Sequence, residues 1–150
     1  MPEAPQEYTL EIEADAEACR DVLLDFENYP GWSTPILAAE ILSRHADGRP
    51  HHVSFALDMR IRTIRYTLAY AYPRASRIEW ELVDGDLAGV RGSYDLEECP
   101  EGTRATCRQE IDLGFWVPGP IRRIAERQAL RDSVLEFKGE AERRHEIGAT

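Results

Sequence analysis

The 150-residue chain is poor in several things, and each shortage removes a class of function. It has 3 cysteines, Cys19, Cys99 and Cys107, an odd number without metal-like spacing. That fits a reducing cytoplasm better than a disulfide framework, so the expected location is cytoplasmic. No apolar run approaches the roughly 20 residues that cross a bilayer, which predicts no stable membrane insertion. The opening "MPEAPQEYTL" has neither a basic n-region nor an apolar h-region, so no secretory signal is expected. Basic charge is outnumbered, 18 Lys and Arg against 28 Asp and Glu, for a formal net charge of −10. A chain this acidic is a poor partner for nucleic acid or for an anionic membrane surface. There is no internal repeat, linker, Gly-rich phosphate loop or GxSxG elbow. The expectation is one domain over 1–150 with an ordered core at about 7–144, able to bury about 68–70% of the surface of its unfolded chain.

The rest of the chain reads as strands closed by a helix. "QEYTLEI" alternates Tyr8, Leu10 and Ile12 against polar neighbours, a short strand. Asp15 is a plausible N-cap, and Cys19, Val22, Leu23 and Phe26 follow at i, i+3, i+4 and i+7 on one helical stripe. A second short helix is expected around Asn28 to Trp32. Alternation then marks "PILAAEILSR", "HHVSFALDM", "TIRYTLAYAY", "RIEWELV", "VRGSYDLEE" and "RATCRQEIDLGF" as strands joined by turns too short for anything but antiparallel pairing. After the "WVPGP" breaker, Pro120 suits a first helical turn, and the pattern stays helical to about Arg144.

These strands have one wet face and one oily face. The wet face carries Arg77, Glu79, Glu81, Arg91, Asp95, Arg104, Arg108 and Glu110, with cross-strand ion pairs of little individual worth. The oily face carries Phe55, Leu57, Tyr66, Leu68, Tyr70, Trp80 and Tyr94. Six or seven strands at about 4.8 Å spacing span roughly 30 Å, whereas a helix is about 10–12 Å wide. One helix cannot cover a flat sheet of that width. The sheet must curl around the helix, and a space lined by these residues should remain between them. The segment "DFENYPGWSTP" then has a role: with Pro30 and Gly31 setting a sharp path, it plugs one end and turns Phe26, Tyr29 and Trp32 inward.

Strand, helix, short helix, six strands and long helix, in that order, resemble the helix-grip fold of the START-like (SRPBCC) superfamily. The resemblance rests on "VLLDFENYPGWSTPI", on "WELVDGDLAGVRGSYDLEECPEGTRAT" with its Gly-x-Tyr and Gly-Thr turn, and on "IDLGFWVPGPIRRIAERQALRDSVLEFKGEAERR". It covers roughly residues 7–144 and is nearest to the bacterial polyketide cyclase/dehydrase-like branch, related to coenzyme Q-binding proteins. It implies an α+β fold: a strongly curved antiparallel sheet of six to seven strands around a long C-terminal helix, with two short helices after the first strand. It also implies pocket tyrosines and arginines acting as polar handles or acid/base groups.

On the inward face the catalytic candidates are Tyr66, Tyr70 and Tyr94. The ligand-binding candidates are Trp32, Phe55, Leu57, Tyr66, Leu68, Tyr70, Trp80, Tyr94 and Gln109 on strands and loop, with Ile124 and Gln128 on the helix. By alternation no pair of carboxylates, no His and no Arg points inward from the central strands. An unperturbed Tyr titrates near 10, which is poor for acid–base work at neutral pH. His45, His51 and His52 flank the "ADGRP" turn and could approach one another as zinc ligands, but an exposed hairpin tip is the expected arrangement, so no metal is expected. Arg123, Arg127 and Arg131 recur at i, i+4 and i+8, either to receive an anionic head group or as a solvated face paired with Glu126 and Glu136. Trp116 is either part of an entrance or a wedge.

Three functions follow, in this order. The first is binding of a lipid-like or aromatic small molecule, with no cofactor, by a monomer or homodimer. The second is a polyketide cyclase, aromatase or dehydratase. The third, ribosome association, is implied by some relatives and weakened by the acidic charge.

Overall fold

The computed structural model describes residues 6–60 and 62–149. The expectation of no secretory signal therefore rests partly on residues 1–5, which lie outside the described residues. Seven strands form one antiparallel sheet in the order β1-β7-β6-β5-β4-β3-β2. They are β1 (Gln6–Ile12), β2 (Ile36–Ile41), β3 (His52–Asp58), β4 (Thr63–Arg74), β5 (Arg77–Gly85), β6 (Gly89–Cys99) and β7 (Gly102–Asp112). Helix α1 (Ala16–Leu24) and a 3-10 helix (Phe26–Gly31) lie between β1 and β2, and α2 (Gly119–Ala149) ends the chain. This is the helix-grip arrangement expected from the sequence.

The connectivity explains the curl. β1 and β2 are neighbours in sequence but opposite edges of the sheet. Only α1 and the 3-10 helix bridge them, so the chain must pass across one face. Register shifts between Ile36 and Ala38, between Thr67 and Leu68, and between Ala71 and Arg74 bend the β2–β5 half. Bulges of this kind increase twist and let a strand bend. At the β6–β7 turn, Gly102 has φ of +137, and a Cβ there would lie 2.5 Å from the Ile12 carbonyl oxygen. Only glycine fits that turn.

Each local element has a cause. The Asp15 carboxylate accepts the Ala18 N–H at 2.7 Å and caps α1. Cys19, Val22 and Leu23 are the buried stripe of that helix, and Phe26 continues it at 1% exposure. The 3-10 helix starts at Phe26, two residues before the expected Asn28. The Asp25 N–H already bonds the Val22 carbonyl, so the chain tightens directly out of α1. In α2 the buried side is Leu130, Val134, Phe137 and Ala141. These residues lie in the C-terminal part of the helix, which packs on β1 and α1 with a smaller contact to β7. On the opposite face of the sheet, Arg77 bonds Asp95 at 2.6 Å and Arg108 bonds Glu7 at 2.8 Å, as its alternation predicts.

Candidate functional site

The inward strand residues form a continuous aromatic row. Phe55, Leu68, Tyr70, Trp80 and Tyr94 are all buried. Ring centroids are 4.6 Å apart for Phe26 and Tyr70, 6.1 Å for Tyr70 and Trp80, 5.8 Å for Trp80 and Tyr94, and 5.3 Å for Tyr94 and Phe137. The row therefore runs from the 3-10 helix across β4, β5 and β6 to α2. These are contact distances for tilted and edge-on rings. This end of the interior is filled by side chains rather than hollow.

The "DFENYPGWSTP" segment is what fills it. Tyr29 packs on Phe26 at 5.1 Å and on Phe55 at 6.2 Å, and Trp32 packs on Tyr29 at 4.7 Å. Both ends of the segment are tied to α2. Arg144 pairs with Asp25 at 3.0 Å, and Glu136 accepts hydrogen bonds from the Thr34 N–H and hydroxyl.

The other end is only partly covered. Leu57, Tyr66 and Leu82 are half-buried, as are Gln109, Ile111 and Leu113. Expected helical cover from Ile124 and Gln128 is not there: Ile124 is 65% exposed, Ile121 is 62% exposed, and Gln128 is exposed. The reason is helical phase. Residues in line with Leu130 and Phe137 face the sheet, and one turn before Leu130 that line reaches Glu126. Glu126 pairs with Arg122 at 3.9 Å, and its side chain is 18% exposed. Arg122 and Glu126 are thus the inward-side residues that sequence reasoning missed, having placed Glu126 on the solvated face. Extending the Leu130, Val134 and Phe137 stripe backwards by i−4 would have found Glu126.

Several polar groups of the interior can donate. The Tyr66 and Tyr70 hydroxyls make no hydrogen bond among the described residues, and the buried Trp32 Nε1 has no partner there either. Tyr94 sits against the thiol of its cross-strand partner Cys107. Burial pushes Tyr66, Tyr70 and Tyr94 well above the ordinary tyrosine value, and it pushes the Cys107 thiol up to about 12. At neutral pH these groups are protonated. They can donate to a ligand oxygen, but they are not ready bases.

A groove of about 560 Å³ lies on the other face of the sheet, lined among others by His51, Glu79, Arg91, Arg108 and Glu110. Its walls mix the Arg77–Glu79 and Arg91–Glu81 ion pairs with Ala69, Ala71 and Trp80. The three histidines do come together at its edge, with His51 centred 4.2 Å from both His45 and His52. They are half-buried rather than an exposed tip. His45 Nε2 hydrogen-bonds the Tyr70 carbonyl at 2.7 Å, and the three rings do not converge as metal ligands. Trp116 is no wedge, being 84% exposed.

Comparison with known proteins agrees with this architecture. A START superfamily protein from Mycobacterium smegmatis is similar at 26% identity and TM-score 0.79, over 97% of this chain and 99% of its own. The Zhui aromatase/cyclase from Streptomyces sp. R1128 is similar at 20% identity and TM-score 0.76, over 93% and 94%. A STAR-related lipid transfer protein from Xanthomonas axonopodis is similar at 13% identity and TM-score 0.71, over 90% and 84%. Comparison with curated proteins gives no match. Residues 12–138 match the sequence model of the family described as Polyketide cyclase / dehydrase and lipid transport, and the chain belongs to that family.

Proposed function

We propose that the protein binds a hydrophobic small molecule, lipid-like or aromatic, between the concave face of the sheet and the first half of α2. The observation that carries this is the mismatch of cover. The apolar face extends through Leu57, Tyr66, Leu82, Ile111 and Leu113, whereas α2 packs mainly on β1 and α1, with smaller contacts to β7 and, through Phe137, to Tyr94 of β6. An apolar guest completes the core there, at about 25 cal/mol per Å² of area removed from water. Half-buried Tyr66 and Gln109 supply the few polar contacts that orient such a ligand. The lipid-transfer and aromatase/cyclase neighbours fit the same ligand chemistry.

The test is a filling substitution. Leu82→Trp places a large side chain in the proposed space. It should cut binding of a hydrophobic fluorescent probe by about tenfold while costing under about 1 kcal/mol of stability. A packed interior would instead react with the 1–3 kcal/mol typical of overpacking. Native mass spectrometry of gently purified protein should show a bound apolar mass. An empty protein that also ignores the probe would refute the reading.

A cyclase reading rests on the unpartnered Tyr66 and Tyr70 hydroxyls. In it they act as protonated donors that polarise a ligand carbonyl. Tyr66→Phe and Tyr70→Phe would then abolish turnover of a poly-keto substrate and leave probe binding intact.

A further inference from the structure

The first half of α2 has an outer side that the fold does not use. Ile121 and Ile124 are 62% and 65% exposed, and Leu135 on the same side is 39% exposed. The loop just before the helix adds Phe115 at 48% and Trp116 at 84%. Between Gly119 and Arg131 the sequence holds four arginines, Arg122, Arg123, Arg127 and Arg131, against one carboxylate, Glu126. Glu126 faces Arg122 on the inward side, and Glu136 accepts from Thr34. Arg127 and Arg131, which border the Ile124 stripe, have no ion pair among the described residues. Asp132 is the acid left on this outer side. A chain of net charge −10 has thus concentrated arginines and exposed apolar side chains in one place.

From this combination we infer that the Trp116-to-Arg131 surface docks peripherally on a bilayer containing anionic phospholipid. An apolar stripe edged by arginines, with a tryptophan at its end, suits the plane between headgroups and acyl chains. Arginines there meet lipid phosphates, while the acidic remainder of the molecule is held away from the surface. A second copy of the chain fits less well. A two-fold contact through this stripe would bring the unpaired arginines of both copies together. Neither Trp116, Arg127 nor Arg131 lines the space proposed for the ligand, so the two readings fail independently.

The experiment is flotation of the full chain with phosphatidylcholine vesicles, with and without phosphatidylglycerol. Binding is expected only to the vesicles with phosphatidylglycerol, and it should be lost near 1 M salt, where screening acts over about 3 Å. The double variant Arg127→Glu/Arg131→Glu and the single variant Trp116→Ala should each reduce partitioning by about tenfold or more. Both should keep the wild-type far-UV circular dichroism, melting temperature and hydrophobic-probe titration. The proposal is overturned if wild-type protein floats with neither vesicle, if it floats equally with both, or if the charge reversal leaves flotation unchanged. Concentration-dependent dimerisation that Trp116→Ala abolishes, without vesicle binding, would assign the stripe to a second copy and overturn it too.

Discussion

Gly92 has no side chain because Trp80, its cross-strand partner, occupies the space one would fill. A Cβ at Gly92 would lie 2.3 Å from the indole. The Gly-x-Tyr of β6 therefore does two jobs. Gly92 admits the Trp80 ring, and Tyr94 meets that ring and Phe137 from the same face. Gly92→Ala should destabilise the protein by about 1–3 kcal/mol, read as a lower denaturant midpoint at unchanged slope. His51 makes a second prediction at this scale. Its burial, and then the neighbouring His52 and His45 rings, hold its imidazole below the ordinary value of 6.5. The unfolded chain thus binds that proton more tightly than the folded one. The stability it contributes is fully present above pH 6.5 and is lost as pH falls through the lower folded-state value. Melting curves of His51→Gln between about pH 5 and 7 should be flatter with pH than those of the wild type.

Among the elements, α2 is two helices in function. Its C-terminal half is core, with Val134, Phe137 and Ala141 fully buried. Its N-terminal half carries Ile121 and Ile124 in the open. Phe137→Ala should cost about 3–5 kcal/mol, because the cavity would open beneath Tyr94. Ile121→Ala should change stability by no more than about 0.5 kcal/mol. Equal effects in chemical denaturation would contradict this division. The strands were legible because a period of two separates Ile78, Trp80 and Leu82 from Arg77, Glu79 and Glu81 without ambiguity. The helix was less legible because two apolar stripes lie on it. The sequence pattern placed Ile124 and Gln128 inward beside the stripe of Leu130 and Val134, yet only Leu130 and Val134 have a partner surface to bury against.

At the scale of the molecule, the sheet is longer across than its covering helix is wide, and the shortfall is shared unevenly. The 3-10 helix and its aromatics close one end, held by Asp25 to Arg144 and Thr34 to Glu136. The other end is the space proposed for a guest. An apolar ligand bound there at about one hundred times its dissociation constant is expected to add about 2.7 kcal/mol. For a chain of this size that raises the melting temperature by roughly 5–10 °C. A hydrophobic ligand that binds yet leaves the melting temperature unmoved must be binding the unfolded chain as well, and not the proposed space.

Fold class, strand faces, the cap at Asp15 and the role of the aromatic segment were all written in local pattern. Alternation, helical spacing and turn residues act over a few neighbours, and backbone geometry leaves them few ways to be satisfied. The direction of α2's first half, the pairing of Arg122 with Glu126, the half-burial of the three histidines and the exposure of Trp116 were not. Each depends on what lies opposite in space, which the curl of the sheet decides. The bulges in β2, β4 and β5 set that curl, and with it which apolar residues find a neighbour and which do not.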